Sequence, residues 1–172
     1  MYTPQSHPET SSAFPVTGDN FHKFSRRGRA APLNMVITET GAAEAVGKVL
    51  PDLNGRLTAN AIRVPTPNVS LAILSLNLNS EVSVDQVNGY LRGISLESPL
   101  QGQVDFVSSP EVVSTDFIGN MKAGVVDSLA TIVQGRRCNI YVWYDNEFGY
   151  SVQVVRILQH VSNLELPSFP RV

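Results

Sequence analysis

Residues 69–78 carry the strongest local signal in the chain. Val69, Leu71 and Ile73, then Leu74, Leu76 and Leu78, are apolar, and Pro65-Thr66-Pro67-Asn68 closes the run off upstream. Such a run between turn signals reads as a strand. The phase slips between Ile73 and Leu74, which predicts a bulge or burial on both faces. Residues 57–64 read as another strand just before the break, with no helix in between. Strands joined by a short turn pair antiparallel. A doubly wound nucleotide-binding sheet would need regular βα alternation and usually a Gly-rich first turn. The chain shows no such alternation and contains no Gly-x-Gly-x-x-Gly.

The remaining elements fit the same picture. Residues 34–38 form a short β-type run. Thr40-Gly41 then leads into a helix over 42–50, with Thr40 as the expected N-cap and Pro51 as the stop. A second helix begins at Ser83 and runs to about Gly93, with Val84, Val87 and Leu91 as its apolar stripe. A short strand is expected near 104–107. Residues 131–133 and 139–144 read as a hairpin around Gln134-Gly135-Arg136-Arg137. A closing helix over 148–161 places Val152, Val155 and Leu158 inward. The expected class is α+β: a mixed, mostly antiparallel sheet with helices packed on one face. Residues 1–24, rich in Pro, Ser and Thr, read as irregular.

At 172 residues the chain is one domain's worth, and 42% hydrophobic with 16% charged residues marks a globular class. Net charge is -2, and the one basic cluster is Arg26, Arg27 and Arg29, so nucleic acid has no electrostatic footprint here. No apolar stretch reaches membrane-spanning length, and residues 1–10 do not read as a secretory signal. One cysteine, Cys138, excludes an internal disulfide and suggests a reducing compartment. The expected location is cytoplasmic, with no membrane and no nucleic acid partner.

Local chemistry singles out a few residues and leaves each with two readings. The Thr40-Gly41 helix start suits an anion, because free N–H groups and the helix dipole point there; it also suits an ordinary cap. Arg63, fixed before a Pro-Thr-Pro turn, suits bidentate phosphate recognition or a plain surface position. Asn146, between a strand and a helix, offers both a donor and an acceptor to another amide, or serves the turn. Tyr150, on the first turn of that helix, reads equally as packing or as a site wall. Cys138 lies in the strand Cys138-Asn139-Ile140-Tyr141-Val142-Trp143 and reads as a small buried hydrophobe.

Four segments acquire a common meaning together. They are Arg26-Arg27-Gly28-Arg29-Ala30-Ala31-Pro32-Leu33-Asn34-Met35-Val36 with Thr40-Gly41-Ala42-Ala43; Arg63-Val64-Pro65-Thr66-Pro67-Asn68-Val69-Ser70; Val112-Val113-Ser114-Thr115-Asp116-Phe117; and Trp143-Tyr144-Asp145-Asn146-Glu147-Phe148-Gly149-Tyr150-Ser151. In this order they resemble the C-terminal catalytic domain of glyceraldehyde-3-phosphate dehydrogenase. The resemblance covers residues 19–162, with 1–18 as an irregular arm and 163–172 as a tail. The tail and residues 123–131 are most similar to the longer bacterial branch.

The resemblance implies an oxidoreductase converting glyceraldehyde-3-phosphate, phosphate and NAD to 1,3-bisphosphoglycerate and NADH. It implies that Thr40 and Gly41 bind inorganic phosphate, that Arg63 binds the substrate phosphate, and that Asn146 holds the nicotinamide carboxamide with Tyr150 on the nearby wall. It also implies a homo-oligomer, a tetramer in the family, with residues 19–36 as the loop that fills a subunit interface. NAD or NADP would serve the full-length parent. The family's nucleophilic cysteine, in Ser-Cys-Thr-Thr-Asn-Cys, has no counterpart here, and Cys138 matches no catalytic position. The family's histidine base, in His-x-aromatic-Thr, has His7 as its candidate, but Glu9 replaces the aromatic residue. The chain alone is therefore expected to be inactive and to bind no cofactor tightly. A stand-alone oligomerisation or binding module, or a degenerate remnant, is the alternative.

Overall fold

The computed structural model describes residues 2–4, 26 and 29–164. The strands are β1 (Tyr2–Pro4), β2 (Val36–Thr38), β3 (Ala61–Val64), β4 (Ser70–Asn77), β5 (Val104–Val107), β6 (Gly124–Asp127), β7 (Ile132–Gln134) and β8 (Arg137–Tyr144); the helices are α1 (Ala42–Val49), α2 (Val84–Glu97) and α3 (Phe148–Val161). All eight strands join one sheet in the order β2-β3-β1-β4-β8-β6-β5, with β7 also on β8. The β1–β3 and β5–β6 pairs are parallel and the other described pairs antiparallel. The α+β class with a mixed, mostly antiparallel sheet is thus the observed one.

β8 is the spine of the sheet. On one edge it pairs with all of β4, from Ser70↔Tyr144 to Asn77↔Arg137. On the other edge β6 takes its far end and β7 its near end. The unbroken β4–β8 register means that the phase slip at Ile73–Leu74 is not a bulge. Leu76, with Leu78 just beyond the strand, packs against buried Cys138 and Ile140, while Val69 belongs to a second cluster with Phe117 and Val125. Alternate β4 positions point to opposite faces, so both faces take apolar residues.

One core lies between α2 and the sheet, where Val87 and Leu91 pack onto Val126, Cys138 and Ile140. α2 starts as a capping box: Ser83 Oγ accepts from Gln86 N–H at 3.2 Å, and Gln86 Oε1 accepts from Ser83 N–H at 2.8 Å. The second core centres on Trp143, which stacks on Phe117 with ring centroids 5.4 Å apart. The Trp143 indole N–H donates to Asp127 Oδ2 at 3.1 Å.

Several expectations change. Tyr2–Pro4, within the stretch read as irregular, lies between β3 and β4; three residues are too few to show a period. β3 is confined to Ala61–Val64, shorter than residues 57–64. α2 runs to Glu97, past Gly93, since a glycine inside a helix costs only about 1 kcal/mol relative to alanine and does not stop it. In α3, Val152 is half-buried, but Val155 and Leu158 are exposed, not inward. Among the described residues α3 docks by its first and third turns: Gly149 sits against the Lys122 carbonyl, and the Arg156 guanidinium against Gly102. The hairpin is as expected, with Gly135 at φ +58 in a two-residue turn between paired Gln134 and Arg137.

Candidate functional site

The C-terminal ends of β3 and β8 lie at the same end of the sheet as the start of β4. Strand direction therefore gathers Arg63, Ser70 and Tyr144, with Asn146 two residues past β8. Ser70 and Tyr144 are direct cross-strand partners, so their side chains share a face. Ser70 is 1% exposed, and its Oγ donates to Asn146 Oδ1 at 3.2 Å. The Tyr144 phenol is within hydrogen-bonding reach of Ser70 and feels the charge of Arg63. Burial pushes its pKa above the ordinary 10.0, outweighing the opposite pull of both neighbours.

Arg63 is oriented from β2. Its Nε donates at 3.2 Å to Oγ1 of Thr38, a buried residue diagonal to it across the β2–β3 pair. This bond fixes the plane of the guanidinium fork. Thr40 and Gly41 lie just beyond Thr38, past the opposite end of β2, so they connect to Arg63 through that short strand. The helix start differs from expectation. Gly41, not Thr40, is the N-cap, and the Gly41 carbonyl accepts from Ala45 N–H at 2.9 Å. Thr40 stands one residue earlier, with Oγ1 accepting from Ala42 N–H at 3.3 Å. A hydroxyl reaching two residues ahead makes a local turn that displaces the cap by one position. Glu44 adds a carboxylate to the first turn, paired with Lys48 at 2.8 Å.

What holds Asn146 in place is its neighbour Asp145, which the sequence reading did not single out. Its carboxylate is 2% exposed. Oδ1 accepts from Glu147 N–H at 2.9 Å and Phe148 N–H at 2.7 Å; Oδ2 accepts from Gly119 N–H at 2.9 Å and Asn68 Nδ2 at 3.1 Å. One buried side chain thereby ties together the start of α3, the loop after Phe117 and the residue before β4's entry. Burial would raise its pKa, but these donors outweigh burial and hold it below the ordinary 3.8. Accepting from the N–H groups two and three residues ahead is what a capping aspartate does, and an aspartate shortly before an apolar helical run was the clue available in the sequence.

The entry to β4 is strained. Val69 has φ +74, a left-handed value that a β-branched residue rarely adopts. Asn68 holds it there, with Oδ1 accepting from Val69 N–H at 2.7 Å while Nδ2 is held by Asp145. The strained residue directly precedes Ser70.

Tyr150 stands exposed on the first turn of α3, and no described contact joins it to the group around Ser70. His7 lies outside the described residues. Cys138 is a free thiol, 1% exposed inside β8, and burial pushes its pKa up. That is the opposite of an activated nucleophile. Among the described residues no group of His, Cys, Asp or Glu is placed to hold a metal, and no helix is long and apolar enough to cross a membrane.

Comparison with known proteins adds a consistent set of relatives. The family described as glyceraldehyde 3-phosphate dehydrogenase, C-terminal domain, matches residues 12–146. A glyceraldehyde-3-phosphate dehydrogenase-like protein of Pseudomonas aeruginosa (strain UCBPP-PA14) is 63% identical over 153 residues, covering 89% of this chain and 33% of that protein. Glyceraldehyde-3-phosphate dehydrogenase of Priestia megaterium is 45% identical, covering 82% of this chain and 42% of that protein. Glyceraldehyde-3-phosphate dehydrogenase 1 of Bacillus subtilis is 44% identical with the same coverage of 82% and 42%. The chain spans well under half the length of these relatives.

Proposed function

The chain belongs to the glyceraldehyde-3-phosphate dehydrogenase C-terminal domain family, and from that premise we propose that it supplies the substrate-side domain of an NAD-dependent phosphorylating aldehyde dehydrogenase. In this reading the reaction takes glyceraldehyde-3-phosphate, phosphate and NAD to 1,3-bisphosphoglycerate and NADH. The observation that carries it is the group gathered at one end of the sheet: Ser70 is bonded to Asn146 and lies opposite Tyr144 across the β4–β8 pair, and the Arg63 charge reaches Tyr144. A cation on an oriented fork suits the phosphate end of a small substrate. A half-buried amide at the same end of the sheet suits the nicotinamide.

The residues fit the cofactor's nicotinamide end only. Asn146 Oδ1 is taken by Ser70, while Nδ2 has no partner among the described residues and is the donor for a carboxamide oxygen. The chain has no Gly-rich pyrophosphate cradle. When bound, NAD would accept the hydride. The residues of this chain orient the reactants: Arg63 holds the substrate phosphate, Thr40 and Gly41 hold inorganic phosphate, Asn146 sets the nicotinamide face, and Tyr150 lines the wall. The one thiol is sealed in β8, so the chain by itself turns over no aldehyde. It works in a homo-oligomer, in the cytoplasm, where a lone reduced thiol is stable.

Titration of the full-length chain with inorganic phosphate, followed by backbone amide NMR, tests this reading. Signals from Thr40, Gly41, Ala42 and Arg63 are expected to move, and Arg63→Ala is expected to abolish the response at its own position. A spectrum indifferent to phosphate at millimolar concentration would remove the anion-binding basis of the proposal.

The exposed apolar residues of α3, among them Ile157, Leu158 and Val161, favour a stand-alone oligomerisation module without catalysis as a second reading. Light scattering decides it, and a monomer at all concentrations rules it out.

A further inference from the structure

We propose that Ser70 is a positioning residue for Asn146: its hydroxyl binds the amide oxygen and so leaves the Asn146 Nδ2 group as the face offered to a ligand. The inference rests on the reading of Asn146 as the nicotinamide contact and extends it to a residue with no assigned role.

The argument is one of proton accounting. An Asn side chain has one end that only accepts and one that only donates, and rotation by 180° about its last bond exchanges them. An Asn free to rotate presents either end to a ligand. Here Ser70 Oγ lies 3.2 Å from Asn146 Oδ1. An amide oxygen carries no proton, so Ser70 is the donor in this bond. Its single proton is then spent on that bond, which fixes which end of the Asn146 amide faces Ser70.

The surroundings make this pair rigid at both ends. Ser70 is 1% exposed and pinned by the β4–β8 pairing opposite Tyr144. Asn146 follows directly on Asp145, whose carboxylate takes four hydrogen bonds. The Asn146 backbone is thus set by Asp145, and its amide orientation by Ser70. A ligand with a carbonyl oxygen and an amide, such as a nicotinamide carboxamide, then meets a donor of fixed direction. If Asn146 were reversed, its oxygen would face the carbonyl oxygen of a ligand held in the same orientation, two acceptors opposed, and the ligand's carboxamide would have to turn over.

The test uses the full-length chain, labelled with 15N, and the side-chain amide signals of Asn146, identified by their loss in Asn146→Ala. In the unaltered protein the Asn146 side chain is expected to give a heteronuclear NOE typical of an ordered group. Ser70→Ala is expected to shift both amide protons and bring that NOE down to the level of mobile surface amides. The Gly119 and Phe148 backbone signals, which report the Asp145 hub, should stay in place. Ser70→Thr, which keeps a hydroxyl, is expected to restore the order. Tyr144→Phe, which leaves the Ser70 proton where it is, is expected to keep Asn146 ordered and covers the case in which threonine does not fit. An Asn146 side chain equally ordered in Ser70→Ala would overturn the proposal. Addition of millimolar nicotinamide mononucleotide separates it from the reading beneath it. Movement of the Asn146 amide signals in the unaltered chain, with about tenfold weaker binding in Ser70→Ala, supports both. Asn146 signals that depend on Ser70 but ignore the nucleotide keep the Ser70 bond and end the cofactor role of Asn146.

Discussion

Asn68 and Asp145 are 77 positions apart in the chain and hydrogen-bonded at 3.1 Å, amide to carboxylate. The contact joins the entry of β4 to the exit of β8, and it is one of four that a single buried carboxylate accepts. Asp145→Ala would strand two N–H groups of the α3 start and the N–H of Gly119 as well as Asn68. Hydrogen bonds to a charged group are worth about 1.5–3 kcal/mol each, and unmade ones are costly. With water filling part of the gap, a loss of roughly 3 kcal/mol is expected in urea unfolding. Asp145→Asn, which keeps an acceptor, should lose less. A loss in Asp145→Ala below about 0.5 kcal/mol, the range of neutral surface changes, would mean that the hub is not stabilising.

The same carboxylate gives a pH signature. Its folded pKa lies below the ordinary 3.8, so between those values the unfolded chain binds more protons than the folded one, and stability rises with pH. The contribution is complete above the unfolded value and is lost as pH falls through the folded one. Thermal midpoints between pH 2.5 and 6 should drop on the acid side, and the drop should be shallower in Asp145→Asn. Tyr144 acts at the other extreme. Its raised pKa means that stability falls as pH climbs past 10, a fall that Tyr144→Phe should reduce.

Two glycines in helices should respond in opposite directions to alanine. Helix propensity favours Ala over Gly by about 1 kcal/mol at an interior site. A Cβ at Gly89 of α2 would meet nothing within 4 Å, so Gly89→Ala is expected to stabilise by up to that amount. At Gly149 a Cβ would come within 2.7 Å of the Lys122 carbonyl, a backbone atom that cannot turn aside. Gly149→Ala should destabilise by about 1–3 kcal/mol, the cost of overpacking. Differential scanning calorimetry of the pair decides it, and equal shifts would refute the close approach.

Val69 sets strain against burial. Its φ of +74 costs on the order of 1–3 kcal/mol, and its side chain, 3% exposed, contributes about 1.5–3 kcal/mol by packing on Phe117 and Val125. Val69→Ala gives up packing and keeps the strain. Val69→Gly gives up slightly more packing and releases the strain. Glycine, the more drastic truncation, should therefore be the milder one in denaturant titration. The reverse order would show that the Asn68–Asp145 clasp holds that backbone without cost.

The α+β class, the Gly135 hairpin and the helix start at Ser83 were legible in the sequence because each is written in neighbouring residues. β1 and the edge contact of β6 were not, since three or four residues carry no period and their pairing depends on strands far along the chain. Thr40 looked like a cap because nothing local distinguishes a hydroxyl that caps from one that turns back a residue early. Asp145 was hidden for a related reason. Its helix-capping half is local and was overlooked, while its bonds to Asn68 and Gly119 exist only once β4 and the loop after Phe117 have arrived. Of the site, Arg63 and Asn146 could be picked out by chemical type and motif, but the Ser70 hydroxyl between Asn146 and Tyr144 is a product of strand register.

β8 pairs with β4 on one edge and with β6 and β7 on the other, and among the described strands it is the last to be synthesised. On the ribosome, β4 emerges long before its partner and waits with Ser70–Asn77 as a bare, largely apolar edge. Until residues 137–144 follow, the β2-β3-β1-β4 side and the β6-β5 side cannot be joined into one sheet. A pause in translation anywhere between those two strands prolongs the interval in which nascent chains can pair with one another, and holding that edge apart is the task a chaperone would have to perform for this protein.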